Sequence, residues 1–364
     1  MSIVGQPTVA YLHPFGTTQI ENIELLKLGG NGPLLFCYDQ EPLIPEYNRP
    51  LFDFIRQFKN DQGEPKPTIL LNTERNSAAK NILLEKNNFI DCYYFFHAFA
   101  AADWYRGYQY CHALIEPSQR KINKKFITFN RITGRARVYR SLFVGELVKN
   151  DLLKHGHVSF SDVCPEHGHY SKSIYDASNH NVPLDYINEI KDLLDSVTYP
   201  LRVDFTNKDL IPNGSQVLSA IPECMESFLY VVTETCFWDT KEHLTEKIFK
   251  PIVSKQPFVL LGCANNLAYL RSYGFKTFGD WWDESYDGIT DPIKRIQAVV
   301  KIISDISKKS DQELESMLKD MQQVLDHNYN WFYSKEFLDV VWNELTINLT
   351  SAIARSLLQT AAKI

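Results

Sequence analysis

Four residues in one stretch have the types and spacing to hold a phosphorylated ligand: Glu234, Thr245, Glu246 and Lys247. The run 228–233 is apolar and β-branched or aromatic, which predicts a buried strand. Glu234 then falls at its carboxyl end, where parallel sheets bind their ligands. A loop, 236–243, leads to Leu244-Thr245-Glu246-Lys247, which reads as a helix start with Thr245 as its N-cap. Free N–H groups at such a start favour anions, and Lys247 could pair with a diphosphate. Glu246 could accept hydrogen bonds from ribose hydroxyls. Pro251 removes a backbone donor early in this helix, so the helix is expected to be short or kinked. The bland alternative for the two glutamates is a capping acid and a loop acid.

A second group lies at 131–140, with Arg131, Arg135, Arg137 and Arg140 around Gly134. A guanidinium grips two phosphate oxygens at once, and a glycine lets backbone approach a phosphate closely. The same arginines could instead form a solvated face. With Arg120, Lys121, Lys124 and Lys125 they also make a basic cluster that could follow a nucleic-acid backbone. Trp104, Tyr105, Tyr108 and Tyr110 supply rings that could stack on a sugar or base, with core packing as their default role. Asp39-Gln40-Glu41 follows an apolar run and could hold a divalent cation. Glu74, after the run 68–71, is a weaker candidate for a base. His155, His157, Cys164, His167 and His169 are of types that suit zinc, but their spacing fits no zinc module.

The elements that must position these residues alternate. Strands are expected at 8–12, 34–38, 68–71, 92–96, 126–129, 158–160, 228–233, 258–262 and 276–278. Helical spacing of apolar residues appears between them, as in Ile293, Ile296, Val299, Val300 and Ile303. Strand then helix, repeated, predicts an α/β chain with parallel sheets. The polar stretch 116–124 is the expected domain boundary, and the tail from Asp311 reads as helical throughout.

Composition sets limits. The 364 residues are 44% hydrophobic and 23% charged, a globular balance long enough for about two domains. A net charge of −6 argues against a surface that binds nucleic acid everywhere. No signal peptide or membrane-spanning run is apparent, and seven cysteines without a Cys-x-x-Cys pair point to reduced thiols and a cytoplasmic setting.

Glu234 followed by Leu244-Thr245-Glu246-Lys247 resembles the donor-binding stretch of the α1,3-fucosyltransferase family. There, Phe-Glu-Asn after a strand precedes Tyr-Val-Thr-Glu-Lys. Phe129-Asn130-Arg131-Ile132-Thr133-Gly134-Arg135-Ala136-Arg137 resembles that family's Asn…Arg turn, and His155-Gly156-His157-Val158 its His-x-Val/Ile-Asp segment. Asp39-Gln40-Glu41-Pro42 resembles its Met-Glu-Ser-Pro. Segments around 250–252 and 274–287 are also similar to runs in bacteriophage glycosyltransferases. The matching islands keep the family's order and cover about a third of the chain. Thr235 stands where that family has Asn, and His243 where it has Tyr.

The resemblance implies a GT-B glycosyltransferase: two Rossmann-like domains with a cleft between them, 1–120 on the acceptor side and 121–330 on the nucleotide-sugar side. A C-terminal helix, 331–364, would pack back on the first domain. It implies inversion without a metal or resident cofactor, with a nucleotide-diphosphate sugar as donor. Glu41 would be the base, and Asn130, Arg135, Arg137, Glu234, His243, Thr245, Glu246 and Lys247 would bind the donor. The acceptor hydroxyl could belong to a glycan, a protein or a hydroxymethylated base in phage DNA. The competing expectations are a non-catalytic sugar- or nucleic-acid-binding protein of the same fold, and a metal-dependent transferase using Asp39 and Glu41.

Overall fold

The computed structural model describes residues 8–12, 23–26, 32–59, 63–203 and 217–361. The chain is a mixed α/β protein built on parallel sheets and divides into two compact units. Among the described residues no helix is long and apolar enough to cross a membrane.

The first unit comprises Met1–Phe99, Lys241–His243 and Leu338–Ile364. Its strands are β1 (Thr8–Leu12), β2 (Ile23–Leu26), β3 (Leu34–Cys37), β4 (Thr68–Asn72) and β5 (Phe89–Tyr93). They lie in the order β2-β1-β3-β4-β5, parallel except for the antiparallel pair β1–β2. Side chains alternate between the two faces of a strand, and the sheet buries both. Leu34, Phe36 and Leu70 join Leu51, Phe52 and Leu83 of the helices Pro45–Ile55 and Ala78–Asn87 on one face. Ile69, Leu71, Ile90 and Cys92 face the other way, onto Leu345, Leu349 and Ala352. Those three belong to the C-terminal helix Lys335–Ala361, which is further tied to β5 by Asn348 Nδ2 to Tyr93 O at 2.8 Å.

The second unit comprises Ala100–Thr240 and Leu244–Phe337. The division therefore places 100–120 and 331–337 with this unit, not with the first as the sequence suggested. Its sheet holds β6 (Lys124–Asn130), β7 (Gly156–Phe160), β10 (Ser227–Thr233) and β11 (Phe258–Leu261), while β8 (Val163–Cys164) and β9 (Gly168–His169) form a separate hairpin. The sheet order is β11-β10-β6-β7, and every pairing is parallel. All seven residues of β10 and all four of β11 are buried, as their unbroken apolar runs require. The chain steps from β6 to β7 in one direction, then returns to lay β10 on the opposite side of β6. The strand order thus reverses between β6 and β10, the kind of place at which open parallel sheets bind their ligands.

Two expected strands change. The aromatic run predicted as a strand over 92–96 is split: β5 ends at Tyr93, and Phe96–Tyr105 is helical. The segment 276–278 forms no strand, because its backbone pairs with a side chain. Asn328 accepts from Lys276 N at 2.8 Å and donates to Lys276 O at 2.9 Å.

Candidate functional site

Glu234 follows β10 directly and is fully buried. Its carboxylate accepts from Thr235 N at 3.1 Å, from Thr245 N at 3.2 Å and from the Thr245 hydroxyl at 2.6 Å. One acid thus closes the loop between the strand end and the next helix. Burial raises the Glu234 carboxyl above the usual glutamate range, while the Lys247 charge and the Thr245 hydroxyl pull it back. Thr245 is the N-cap that its position predicted, accepting from Lys247 N at 3.4 Å. The helix it opens is only a 3₁₀ turn, Glu246–Ile248, running into Phe249–Val253, which contains Pro251. So short a helix contributes little dipole, and attraction for an anion falls on side chains instead.

The chief of these is Lys247. Its ammonium donates to Thr235 Oγ1 at 3.2 Å, Thr245 Oγ1 at 3.1 Å and Glu246 Oε1 at 3.1 Å. Its side chain is 31% exposed, against 8% for Glu246. One turn on, burial lowers the Lys250 ammonium to about 8, with the Glu246 charge opposing that fall.

The turn after β6 is fastened to the same place by two neighbouring residues. The Arg140 guanidinium donates to Ile132 O at 3.0 Å, Thr233 O at 2.8 Å and Glu234 O at 3.0 Å. The Tyr139 hydroxyl also donates to Glu234 O. Arg140 is buried, so it is no part of a solvated face. Asn130 ends β6 with its amide nitrogen 3.4 Å from Thr128 Oγ1. Asn130 Oδ1 and Thr133 Oγ1 are buried without a hydrogen-bond partner.

Gly134 does not leave its backbone open to a phosphate. A Cβ there would lie 2.5 Å from His167 Cβ, so the histidine occupies the space that the missing side chain leaves. Arg135 is in the left-handed region, at φ 51°, and its N–H donates to Asp176 Oδ2 at 2.7 Å. Trp238 Nε1 donates to Ala136 O at 2.8 Å, and its ring stacks on His180 at 4.1 Å between centroids. Arg135 and half-buried Arg137 therefore project from a turn held by a carboxylate and an indole. Asn130, Glu234, Thr245, Glu246 and Lys247 come together at the ends of β6 and β10, and the turn bearing Arg135 and Arg137 extends from it.

His243 belongs to the other unit. It is fully buried, with its ring 5.6 Å from that of His97 and Nδ1 3.5 Å from Thr73 O. The carboxyl ends of β3, β4 and β5 gather further polar groups there. Asp39 is buried and accepts from the Tyr94 hydroxyl; burial pushes its carboxyl up to about 6 against that hydrogen bond. Glu41, the expected base, is half-buried two residues on. Glu74 takes Leu43 N at 2.7 Å and the Lys241 ammonium at 2.9 Å. Tyr94, His97 and Lys241 are members of this group that no motif signalled.

The basic cluster of 120–140 disperses. Arg120 is buried on the carbonyls of Ile115 and Ser254, and Lys125 pairs with Asp311 at 2.6 Å. The histidines of 155–169 disperse as well: His157 meets Glu226 at 2.6 Å, and His169 caps Ser171. Among the described residues no three His, Cys, Asp or Glu side chains converge as a metal site requires. All seven cysteines are free thiols.

No family model, curated protein or solved structure matches the chain. What the second unit's strand ends offer chemically is a lysine ammonium at the rim of a buried hydrogen-bond network. Such a group stabilises developing negative charge on a departing phosphate. The first unit offers carboxyls held out of water, one of them with its proton affinity moved toward neutrality, as a proton acceptor needs.

Proposed function

We propose that the chain is a glycosyltransferase of the GT-B type, with its two parallel-sheet units as the two Rossmann-like halves. It moves a sugar from a nucleotide-diphosphate donor to an acceptor hydroxyl, with inversion and without a metal. One observation supports the reading above the rest. Segment 129–137 and the residues Glu234 and 244–247, which carry the family resemblance, meet at the carboxyl ends of β6 and β10, where the strand order reverses.

Glycosyl transfer passes through an oxocarbenium-like transition state with charge building on the leaving oxygen. Lys247, with Arg135 and Arg137, takes up the negative charge of the departing diphosphate. Glu41, past the carboxyl end of β3, takes the proton from the acceptor hydroxyl. Glu234 holds Thr235 and Thr245, and through their hydroxyls the Lys247 ammonium, in place. The acceptor class is a hydroxyl-bearing glycan, protein or hydroxymethylated base in DNA; burial of Arg120 and Arg140 takes two members out of the basic cluster that pointed to DNA.

The test is a panel of nucleotide sugars screened by thermal shift and then by donor hydrolysis in chelator. One donor should raise the melting temperature and be hydrolysed, and Lys247→Ala should lose that response. Silence across the whole panel would refute the reading.

A further inference from the structure

An ammonium has three N–H donors, and Lys247 uses all three within the protein. An anionic ligand can engage it only by taking the place of one of these acceptors. Two are threonine hydroxyls. Thr245 is fixed from below by Glu234, through both its N–H and its hydroxyl, and Thr235 through its N–H. The third acceptor, Glu246, is the only one with a charge, and charge is what a phosphate would compete for.

We propose that Glu246 is the resident counter-ion of an anion site at Lys247, and that a phosphate of the ligand's diphosphate enters by displacing it. This inference rests on the nucleotide-sugar reading but changes the role of Glu246. A ribose acceptor would strengthen nucleotide binding, whereas a counter-ion competes with it. Glu246 also pairs with the Lys247 ammonium while no ligand is present.

Isothermal titration of the full chain with inorganic pyrophosphate, and with uridine and guanosine diphosphates, tests this. Glu246→Gln should bind pyrophosphate about tenfold more tightly than the parent chain. Glu246→Asp, which keeps the charge, should bind it as the parent does and serves as the check on folding. Pyrophosphate binding that is unchanged or weaker in Glu246→Gln overturns the inference and leaves the nucleotide reading intact. Weakened nucleoside diphosphate binding with unchanged pyrophosphate binding overturns it in favour of a ribose contact. If neither pyrophosphate nor any nucleotide binds the parent or either variant, both fall. If pyrophosphate tightens as expected but no nucleotide sugar is turned over, the inference holds and the transferase reading fails.

Discussion

Glu74 and Lys241 form an ion pair of 2.9 Å in which the side chains are 0% and 3% exposed, although 167 residues separate them in the chain. Each has a second role: Glu74 accepts from Leu43 N, and Lys241 donates to Leu43 O at 3.1 Å. The pair therefore holds the segment after β3 against the end of β4. Removing one partner leaves a charge buried without its counter-charge. Lys241→Met should cost about 3–5 kcal/mol of stability. In Glu74→Gln the amide oxygen can keep Leu43 N, so the loss there should be smaller. Urea denaturation measures both, and a loss below about 1 kcal/mol for Lys241→Met would show that the pair is solvated.

Arg140 does a comparable job in the second unit, with carbonyls in place of a carboxylate. Its fork reaches the chain after β6 and the end of β10 together. A lysine has one ammonium and cannot span those positions, so Arg140→Lys is not conservative. It should lower stability by about 2–4 kcal/mol, the cost of unsatisfied buried carbonyls and a misplaced charge. Thermal denaturation reads the loss. A shift of only a degree or two would mean that water can replace the guanidinium.

The sheets could be read from the sequence because a strand buried on both faces is an unbroken apolar run. β3, β4, β10 and β11 fall within a residue of where such runs lie. β5 was misplaced because Tyr93-Tyr94-Phe95-Phe96 is apolar throughout, and periodicity cannot mark where strand gives way to helix. Within the site, the Thr245 cap and its Lys247 neighbour were visible because capping is local. Arg140 and Lys241 were not, since their partners lie 93 and 167 residues away and include backbone carbonyls that carry no sequence signal. Gly134 misled for a related reason. A glycine marks a close approach but not what approaches, and here it is His167.

Asp39 gives a pH dependence of defined sign. Burial lifts its carboxyl from 3.8 to about 6, so the folded state holds the proton more tightly than the unfolded chain. Below about pH 4 the group is neutral in both states and costs nothing. As pH rises from about 4 to about 6, only the unfolded state ionises freely, and stability falls by about 3 kcal/mol. Asp39→Asn lacks this titration. The stability difference between the two proteins should therefore change by that amount between acid and neutral pH, as urea midpoints would show. A flat difference would mean that the carboxyl is solvated or that Tyr94 holds it ionised.

Glu234→Gln separates a positioning role from a merely structural one. The raised proton affinity of Glu234 means that its charge is held at a cost, so folding favours its protonated form and loses that contribution as pH rises. The neutral glutamine escapes the penalty, which offsets part of the hydrogen bonding that it loses. Yet an amide cannot accept from Thr235 N, Thr245 N and the Thr245 hydroxyl as the carboxylate does, because its nitrogen donates. The threonines loosen, and Lys247 loses the two hydroxyls that aim it. Pyrophosphate affinity of the folded variant should therefore fall about tenfold, a loss read separately from any change in melting temperature. Unchanged affinity in a stable variant would reduce Glu234 to a loop staple. A variant that binds poorly only because it unfolds would be exposed by its melting temperature.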